Sequence, residues 1–389
     1  MNLNFSDEQQ MLRDQVQKFC ESDYSFNKRE EILKSDLGYD ADLWKLFSEL
    51  GWLSLPFAEE NGGFGYGPIE LSVLFEEFGK VLIVEPYLST IVLSGSVLDK
   101  SSYDGRADLI ESITSGASHI SLAYLEEGSK NNPAFANATI ANSAGSLTLN
   151  GTKTLVLNGG NASKLIVSAM MDGELVLAIV NADAEGLSKI TYPTIDAQSC
   201  AEISFENVQL DNAAIISKGS ESIDLLNNAI NIATLCISAE SIGCMTACYV
   251  KTVEYTKSRE QFGQPISNFQ VLQHKMVDMF IESEVCKSLL FKAMLECESN
   301  EDTKNKSVSA LKAQIGLSGK LVAQDAVQLH GGMGMVDEYM VSHYFKRATM
   351  LGVLFGNEDY HMKRYSDITQ ANVSKITDNL TSNISNPNN

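Results

Sequence analysis

The chain has 389 residues, 44% of them hydrophobic and 20% charged, which excludes a disordered polymer. At about 100–200 residues per domain, it has room for two or three domains. Asp and Glu total 50 against 29 Lys and Arg, a formal net charge of −21. That balance argues against nucleic acid as a partner, since affinity for a phosphate backbone comes from clustered cations that release counterions. An anionic ligand needs a local basic spot or a helix N-terminus.

Seven cysteines without CxxC spacing, the closest pair being Cys244 and Cys248 in an apolar run, argue against a disulfide framework or a zinc site. A reducing, cytoplasmic location is expected. The opening MNLNFSDEQQ lacks the basic region and apolar stretch of a signal peptide. The most apolar region, Leu225 to Val250, is interrupted by Asn, Ser, Thr, Glu and Gly, so no membrane partner is expected.

In chain order, Ser6 reads as a helix N-cap three residues before Gln9, followed by Met11, Leu12, Val16 and Phe19 at helical spacing. Trp44, Leu46, Phe47, Leu50 and Trp52 continue the helical character. Asn61 to Gly67 reads as a connecting turn rather than a phosphate loop, since no GK[ST] follows and no strand precedes it. A helix resumes over 69–83. From about His119 to Ile216 short β-rich runs (146–157, 164–170, 174–180) are separated by turns at Asn150-Gly151 and Gly159-Gly160. Helices return over about 222–258, 268–298, 304–329 and 338–351, and the Asn-, Ser- and Thr-rich tail is expected to fray. The expected fold class is α+β: an N-terminal helical domain (1–117), a middle antiparallel β-barrel or sandwich (118–216), a C-terminal four-helix bundle (217–370) and a flexible tail (371–389).

Four segments carry a resemblance. Arg259-Glu-Gln-Phe-Gly263-Gln-Pro-Ile266, with Phe269-Gln270 and Gln273-His274, resembles the signature at the end of the long helix in acyl-CoA dehydrogenases. Gln328-Leu-His-Gly-Gly-Met-Gly334 is similar to that family's second Gly-rich segment, and Leu50 to Gly65 and Phe5 to Gln9 also look like it. Within the family, the pattern around Gly243, Arg259 and Phe345 to Arg347 is nearest to the small-subunit type of pimeloyl-CoA dehydrogenase. The resemblance implies FAD, an acyl-CoA substrate, an electron-transfer flavoprotein as electron acceptor and a homo- or hetero-tetramer. It makes Arg259, Gln261, Phe262, Ile266, Phe269, Gln328, Gly331 and Gly332 the cofactor-binding residues, holding the adenine half of a flavin that lies in a neighbouring subunit. The residue chemistry agrees: a guanidinium beside an amide and a ring offers charge and stacking to an adenosine diphosphate, and bare glycine backbone offers N–H groups.

The sequence departs from the family where the reaction takes place. The family's proton-abstracting Glu falls on Gly356 in one branch and on Ala233 in the other, so both expected bases are missing. The loop over the flavin reads Leu125-Glu-Glu-Gly-Ser-Lys130, and the Trp-Ile-Thr that contacts the ring corresponds to Leu155-Val156-Leu157. Two carboxylates are candidate catalytic residues: Glu240, the only charged residue between Asp224 and Lys251, and Glu358, two residues past Gly356. Glu59-Glu60 and Glu126-Glu127 read as solvated faces. His119, His274, His330, His343 and His361 show no ligand spacing, so no metal is expected. Two functions follow: a flavin-dependent acyl-CoA dehydrogenase chain, or a non-catalytic subunit that completes the FAD site of a related chain.

Overall fold

The structure, a computed structural model, describes residues 5–143 and 145–385, with side chains through residue 371. The chain forms two compact units that divide inside one long helix, near Cys244.

The first unit opens with α1 (Asp7–Ser22), α2 (Phe26–Leu33) and α3 (Ala41–Glu49). Ser6 and Gln9 form the reciprocal capping box that starts α1, and the Asp40 carboxylate caps α3 by accepting from the amides of Asp42 and Leu43. Helix α4 (Pro68–Val81) begins with proline in its first turn and a Glu70 carboxylate that reaches back to the Gly67 N–H at 2.9 Å. It stops at Leu82, held in the left-handed region at φ 60°. A buried π-helical turn, Leu88–Ser94, leads into α5 (Gly95–Lys100) and then α6 (Arg106–Thr114). Phe19, Phe47, Trp52, Phe78 and Tyr87 form a continuous aromatic core, with Phe47 and Phe78 stacked at 5.5 Å. Met11, although at helical spacing, is 71% exposed.

Eight strands follow: β1 (Ile120–Ala123), β2 (Thr139–Ser143), β3 (Ser146–Leu157), β4 (Lys164–Met171), β5 (Glu174–Asn181), β6 (Leu187–Pro193), β7 (Ser199–Leu210) and β8 (Ile215–Lys218). They form one sheet in the order β6-β7-β3-β2-β4-β5-β8, with β1 on β4. A sandwich is consistent with this sheet, but two features differ from the expected antiparallel barrel. The β1–β4 and β2–β4 pairings are parallel, so the sheet is mixed, and its end strands β6 and β8 do not pair, so no barrel closes. Asn150-Gly151 is not a turn: β3 runs straight through it. Gly151, at φ 139°, sits in a register shift against β7 that absorbs the backbone conformation turns also favour. The sheet and the preceding helices are joined by the Ser94 hydroxyl, which donates to the Ile120 carbonyl at 2.9 Å.

Helix α7 (Ser220–Ser258) is apolar and long enough to cross a membrane by length and composition, yet 78% of its most apolar stretch is buried inside the protein. Within the first unit it crosses α4 at two glycines. A Cβ on Gly79 would come within 2.1 Å of the Glu240 carbonyl oxygen, and one on Gly243 within 2.0 Å of the Glu76 carbonyl oxygen. The crossing therefore exists only with bare backbone on both sides.

The second unit contains the end of α7, a two-residue hairpin of β9 (Glu260–Gln261) and β10 (Gln264–Pro265), α8 (Gln270–Leu295), α9 (Glu301–His330), α10 (Met340–Val353) and α11 (Glu358–Ser385). Helix α9 is central, flanked by α8, α10 and α11. The tail from 371, expected to fray, continues α11 as far as Ser385; residues 386–389 lie outside the described residues. The first turn of α11 carries Glu358 and Asp359, and the Asn357 side chain accepts the Tyr360 N–H at 3.0 Å, so a capped helix propagates into residues of low intrinsic propensity.

Candidate functional site

In the second unit the two motifs meet. Tyr255, one turn before Arg259, stacks on His330 at 4.3 Å and donates to the His330 carbonyl at 3.4 Å, which brings the end of α7 beside the end of α9. Tyr339 closes the cluster 5.2 Å from His330. The His330 Nδ1 bonds the Ala326 carbonyl at 2.8 Å, and burial pushes the imidazole pKa down, so the ring is held neutral. Tyr255 and Tyr339 were not identified from sequence; the only local signal was an aromatic one turn ahead of Arg259.

Around this cluster, Arg259, Gln261, Phe262, Gln328, Gly331 and Gly332 are all exposed, and Ile266 and Phe269 are half-buried. The turn of the β9–β10 hairpin places Phe262 at φ 55° and Gly263 at φ 80°, which projects the Phe262 ring 93% exposed, with Phe269 edge-on at 6.0 Å. The amide of Ile266 donates to the Arg259 carbonyl at 2.8 Å and fixes the hairpin against the helix end. Gly331, at φ 60°, and Gly332 have nothing within 4 Å of where a Cβ would stand. A guanidinium, an exposed ring and unshielded backbone N–H groups suit the adenosine diphosphate half of FAD.

In the first unit, the Leu125–Lys130 segment lies against β3, with the Thr154 N–H on the Leu125 carbonyl at 2.9 Å. Glu126 is not solvated as the sequence suggested. It is 7% exposed, accepts from the amides of Asn137 and Ala138, and pairs at 2.5 Å with the fully buried Lys153, which also donates to Ser168. Burial lowers the Lys153 pKa against the opposing pull of Glu126. Beyond this pair, Leu155 sits in the left-handed region at φ 49°, and neither it nor Leu157 offers a hydroxyl or an indole.

The two candidate bases belong to different units. Glu240 is 3% exposed at the α4–α7 crossing, and Glu358 stands in the first turn of α11 with a carboxylate oxygen 3.3 Å from the Cβ position of Gly316. Neither lines the cavities described here. The space at Gly356, where the resemblance implies a base, is closed. Gly356 adopts φ 112°, and a Cβ there would lie 2.3 Å from Tyr360 Cδ1 and 3.0 Å from His361 Nε2. The backbone is clamped at the same point. The buried Lys312 ammonium donates to the carbonyls of Gly352 and Gly356, both at 2.9 Å, and His361 Nε2 bonds the Phe355 carbonyl at 3.1 Å. Burial pushes Lys312 down to about 7, with Glu358 opposing, and pushes His361 down to about 3, helped by the charges of Lys312 and Arg364.

Two larger cavities open in the first unit. One of about 340 Å³ lies between the Gly65–Pro68 segment, α5 and α7, and includes Asp99, Lys100 and Asn228. Another of about 440 Å³ is lined by Met11, Trp52, Phe64 and Tyr66, with Met11 and Phe64 exposed.

A helical region, a mixed sheet and a helical bundle, with an exposed anion-and-ring site at the end of the long helix, define a dehydrogenase-type flavoprotein fold. Residues 6–116 match the acyl-CoA dehydrogenase N-terminal domain and residues 223–367 the acyl-CoA dehydrogenase C-terminal domain. The chain belongs to the acyl-CoA dehydrogenase family. It is 27% identical over 92% of its length, and 98% of the relative's, to acyl-CoA dehydrogenase IpdE2 of Mycolicibacterium smegmatis. Among solved structures it is similar to a variant of the Tcur3481-Tcur3483 steroid ACAD (TM-score 0.85, 25% identity, 95% of this chain and 99% of that one). It shares its fold with the ChsE4-ChsE5 complex of Mycobacterium tuberculosis (TM-score 0.86, 24% identity, 94% and 98%).

Proposed function

We propose that the chain is the base-lacking subunit of a two-chain acyl-CoA dehydrogenase, of the small-subunit type it resembles, a role favoured by the residues at Gly356, Ala233, Leu155 and Leu157. The cofactor is FAD, which when bound accepts the hydride removed from the β-carbon of an acyl-CoA thioester. Electrons then leave to an electron-transfer flavoprotein, and the complex works in the reducing cytoplasm, in keeping with seven free cysteines. This chain supplies the adenine-side elements: the Arg259 guanidinium for the diphosphate, the Phe262 ring and Gln261 amide for the base, and the Gly331-Gly332 backbone for the phosphate oxygens. Its side chains offer the flavin ring only aliphatic contact at Leu155 and Leu157.

Gly356 carries the reading. Its backbone angle and the occupation of its Cβ space by Tyr360 and His361 leave no room for a carboxylate there. Glu240 and Glu358 are structural in this proposal, and the proton-abstracting Glu stands on the partner chain. The similarity to the Tcur3481-Tcur3483 protein, whose name joins two chains, supports the same arrangement. The test is native mass spectrometry of the chain co-purified from its own cell. The expected species is a tetramer of two chain types with fewer flavins than subunits. A homotetramer carrying one flavin per subunit and turning over acyl-CoA would refute the proposal.

A further inference from the structure

The cavity of about 340 Å³ in the first unit shares no lining residue with the Arg259 motif, with Leu155–Leu157 or with Gly356. Phe57, Pro68, Leu71 and Ile232 give it largely apolar walls, while Ser96 on α5 and Asn228 on α7 add polar groups. Its volume and this lining are those of a small-molecule pocket.

The walls hold one another in place. The Gly65 N–H donates to the Phe57 carbonyl at 2.8 Å and the Tyr66 N–H to the Leu55 carbonyl at 3.0 Å, so the two chain segments on one side are bonded together. Asp99 ties that side to α5: its carboxylate, 4% exposed, accepts from the Ala58 N–H at 3.0 Å and from Asn61 Nδ2 at 2.8 Å. The Phe57 ring rests on Gly95 of α5, where a Cβ would stand 2.7 Å from Phe57 Cζ. The cavity is therefore framed by the chain's own bonds and needs no ligand to form.

The polar groups on the walls select the ligand. Asp99 is committed, since its other oxygen pairs with the largely exposed Lys100 ammonium at 3.3 Å. Ser96 Oγ and the Asn228 amide are half-buried, and neither makes a hydrogen bond to another group among the described residues. An anion would meet the Asp99 carboxylate and a chain of net charge −21, and a cation finds Asp99 already answered by three donors. A pure hydrocarbon strips water from Ser96 and Asn228 and returns nothing. A neutral hydroxyl both donates and accepts, so it answers a hydroxyl or an amide. A cavity of about 150 Å³ encloses benzene, which makes this one the size of a body of about two rings. We propose that the cavity binds a neutral, hydroxyl-bearing molecule of that size, its apolar body against Phe57, Leu71 and Ile232 and its hydroxyl on Ser96 or Asn228. This ligand is additional to FAD and to the thioester, and its binding rests on no part of the two-chain reading.

Calorimetric titration of the full-length chain with 2-naphthol tests it. One molecule is expected to bind per chain, and 2-naphthoate, the same rings carrying a carboxylate, at least tenfold more weakly. Asn228→Leu should weaken 2-naphthol binding about tenfold, the loss of one hydrogen bond from a desolvated partner. Ile232→Phe fills the space and should abolish binding. Both variants should keep the wild-type circular dichroism spectrum; if Ile232→Phe does not fold, the half-buried Asn228→Leu and the naphthol–naphthoate comparison still decide. Wild-type protein that ignores 2-naphthol, equal affinity for 2-naphthoate, or variants that bind as wild type would overturn the proposal. Subunit and flavin stoichiometry, which decide the two-chain reading, do not bear on this outcome.

Discussion

Replacing Glu85 with glutamine should stabilise the protein at alkaline pH and leave it nearly unchanged at mildly acidic pH. Burial pushes this carboxyl from 4.5 up to about 7. The folded state therefore holds the proton more tightly than the unfolded state. The stability this contributes is complete below pH 4.5, declines as pH rises, and is lost beyond about 7. Past that point the folded chain carries a buried charge without a hydrogen-bonded partner, at a cost of about 3 kcal/mol for this separation of pKa values. Glutamine keeps the shape and removes the charge, but leaves an unpaired amide N–H that costs about 1 kcal/mol. The net expectation is a gain of about 2 kcal/mol at pH 8.5 and a near-cancellation at pH 5.5, where the charge costs only about 1.4 kcal/mol. Urea denaturation of both proteins at the two pH values, followed by circular dichroism, measures it. Coincident curves at pH 8.5, or the same displacement at both pH values, would show that Glu85 does not titrate as a buried carboxyl.

Gly243→Ala drives a methyl to 2.0 Å from the Glu76 carbonyl oxygen, so the α4–α7 crossing must open. The expected loss exceeds the roughly 1–3 kcal/mol of ordinary overpacking and is read as a lowered thermal midpoint. Gly356→Glu should not add a second base: at φ 112° and against Tyr360 the substitution destabilises the α10–α11 connection, and the number of flavins that acyl-CoA reduces per assembled oligomer should not rise above the level the partner chain's Glu gives. Arg259→Ala removes a charge-assisted contact worth about 1.5–3 kcal/mol, so the flavin content of the assembled oligomer should fall on titration; unchanged occupancy would remove Arg259 from the site. His361 is buried and neutral, with its pKa pushed down to about 3. Its contribution to stability is complete above pH 6.5 and lost as pH falls through 3, so His361→Leu should flatten the acid limb of a stability–pH profile.

Much of this protein was legible locally. The Ser6–Gln9 capping box and the helical periodicity of α4 and of α7 to α10 are interactions within a few residues, and sequence spacing reports them directly. The cofactor-side motifs were legible for the same reason, since an Arg-Glu-Gln-Phe-Gly hairpin and a Gly-Gly turn expose ring and backbone through their own conformation. Contacts between distant residues were not visible in this way. Glu126 beside Glu127 looks like a solvated pair, yet Lys153 and two amides draw it inside. Asn150-Gly151 spells a turn, yet pairing with β7 absorbs it as an irregularity within β3. Tyr255 meets His330 across 75 residues, and that contact unites the two motifs. The absence of a Glu at 356 could be read from the sequence, but the closure of that position by Tyr360, His361 and Lys312 could not. Burial and partner choice depend on groups that only the folded chain brings together, and they decide whether a carboxyl such as Glu85 is charged or a glycine such as Gly356 is replaceable.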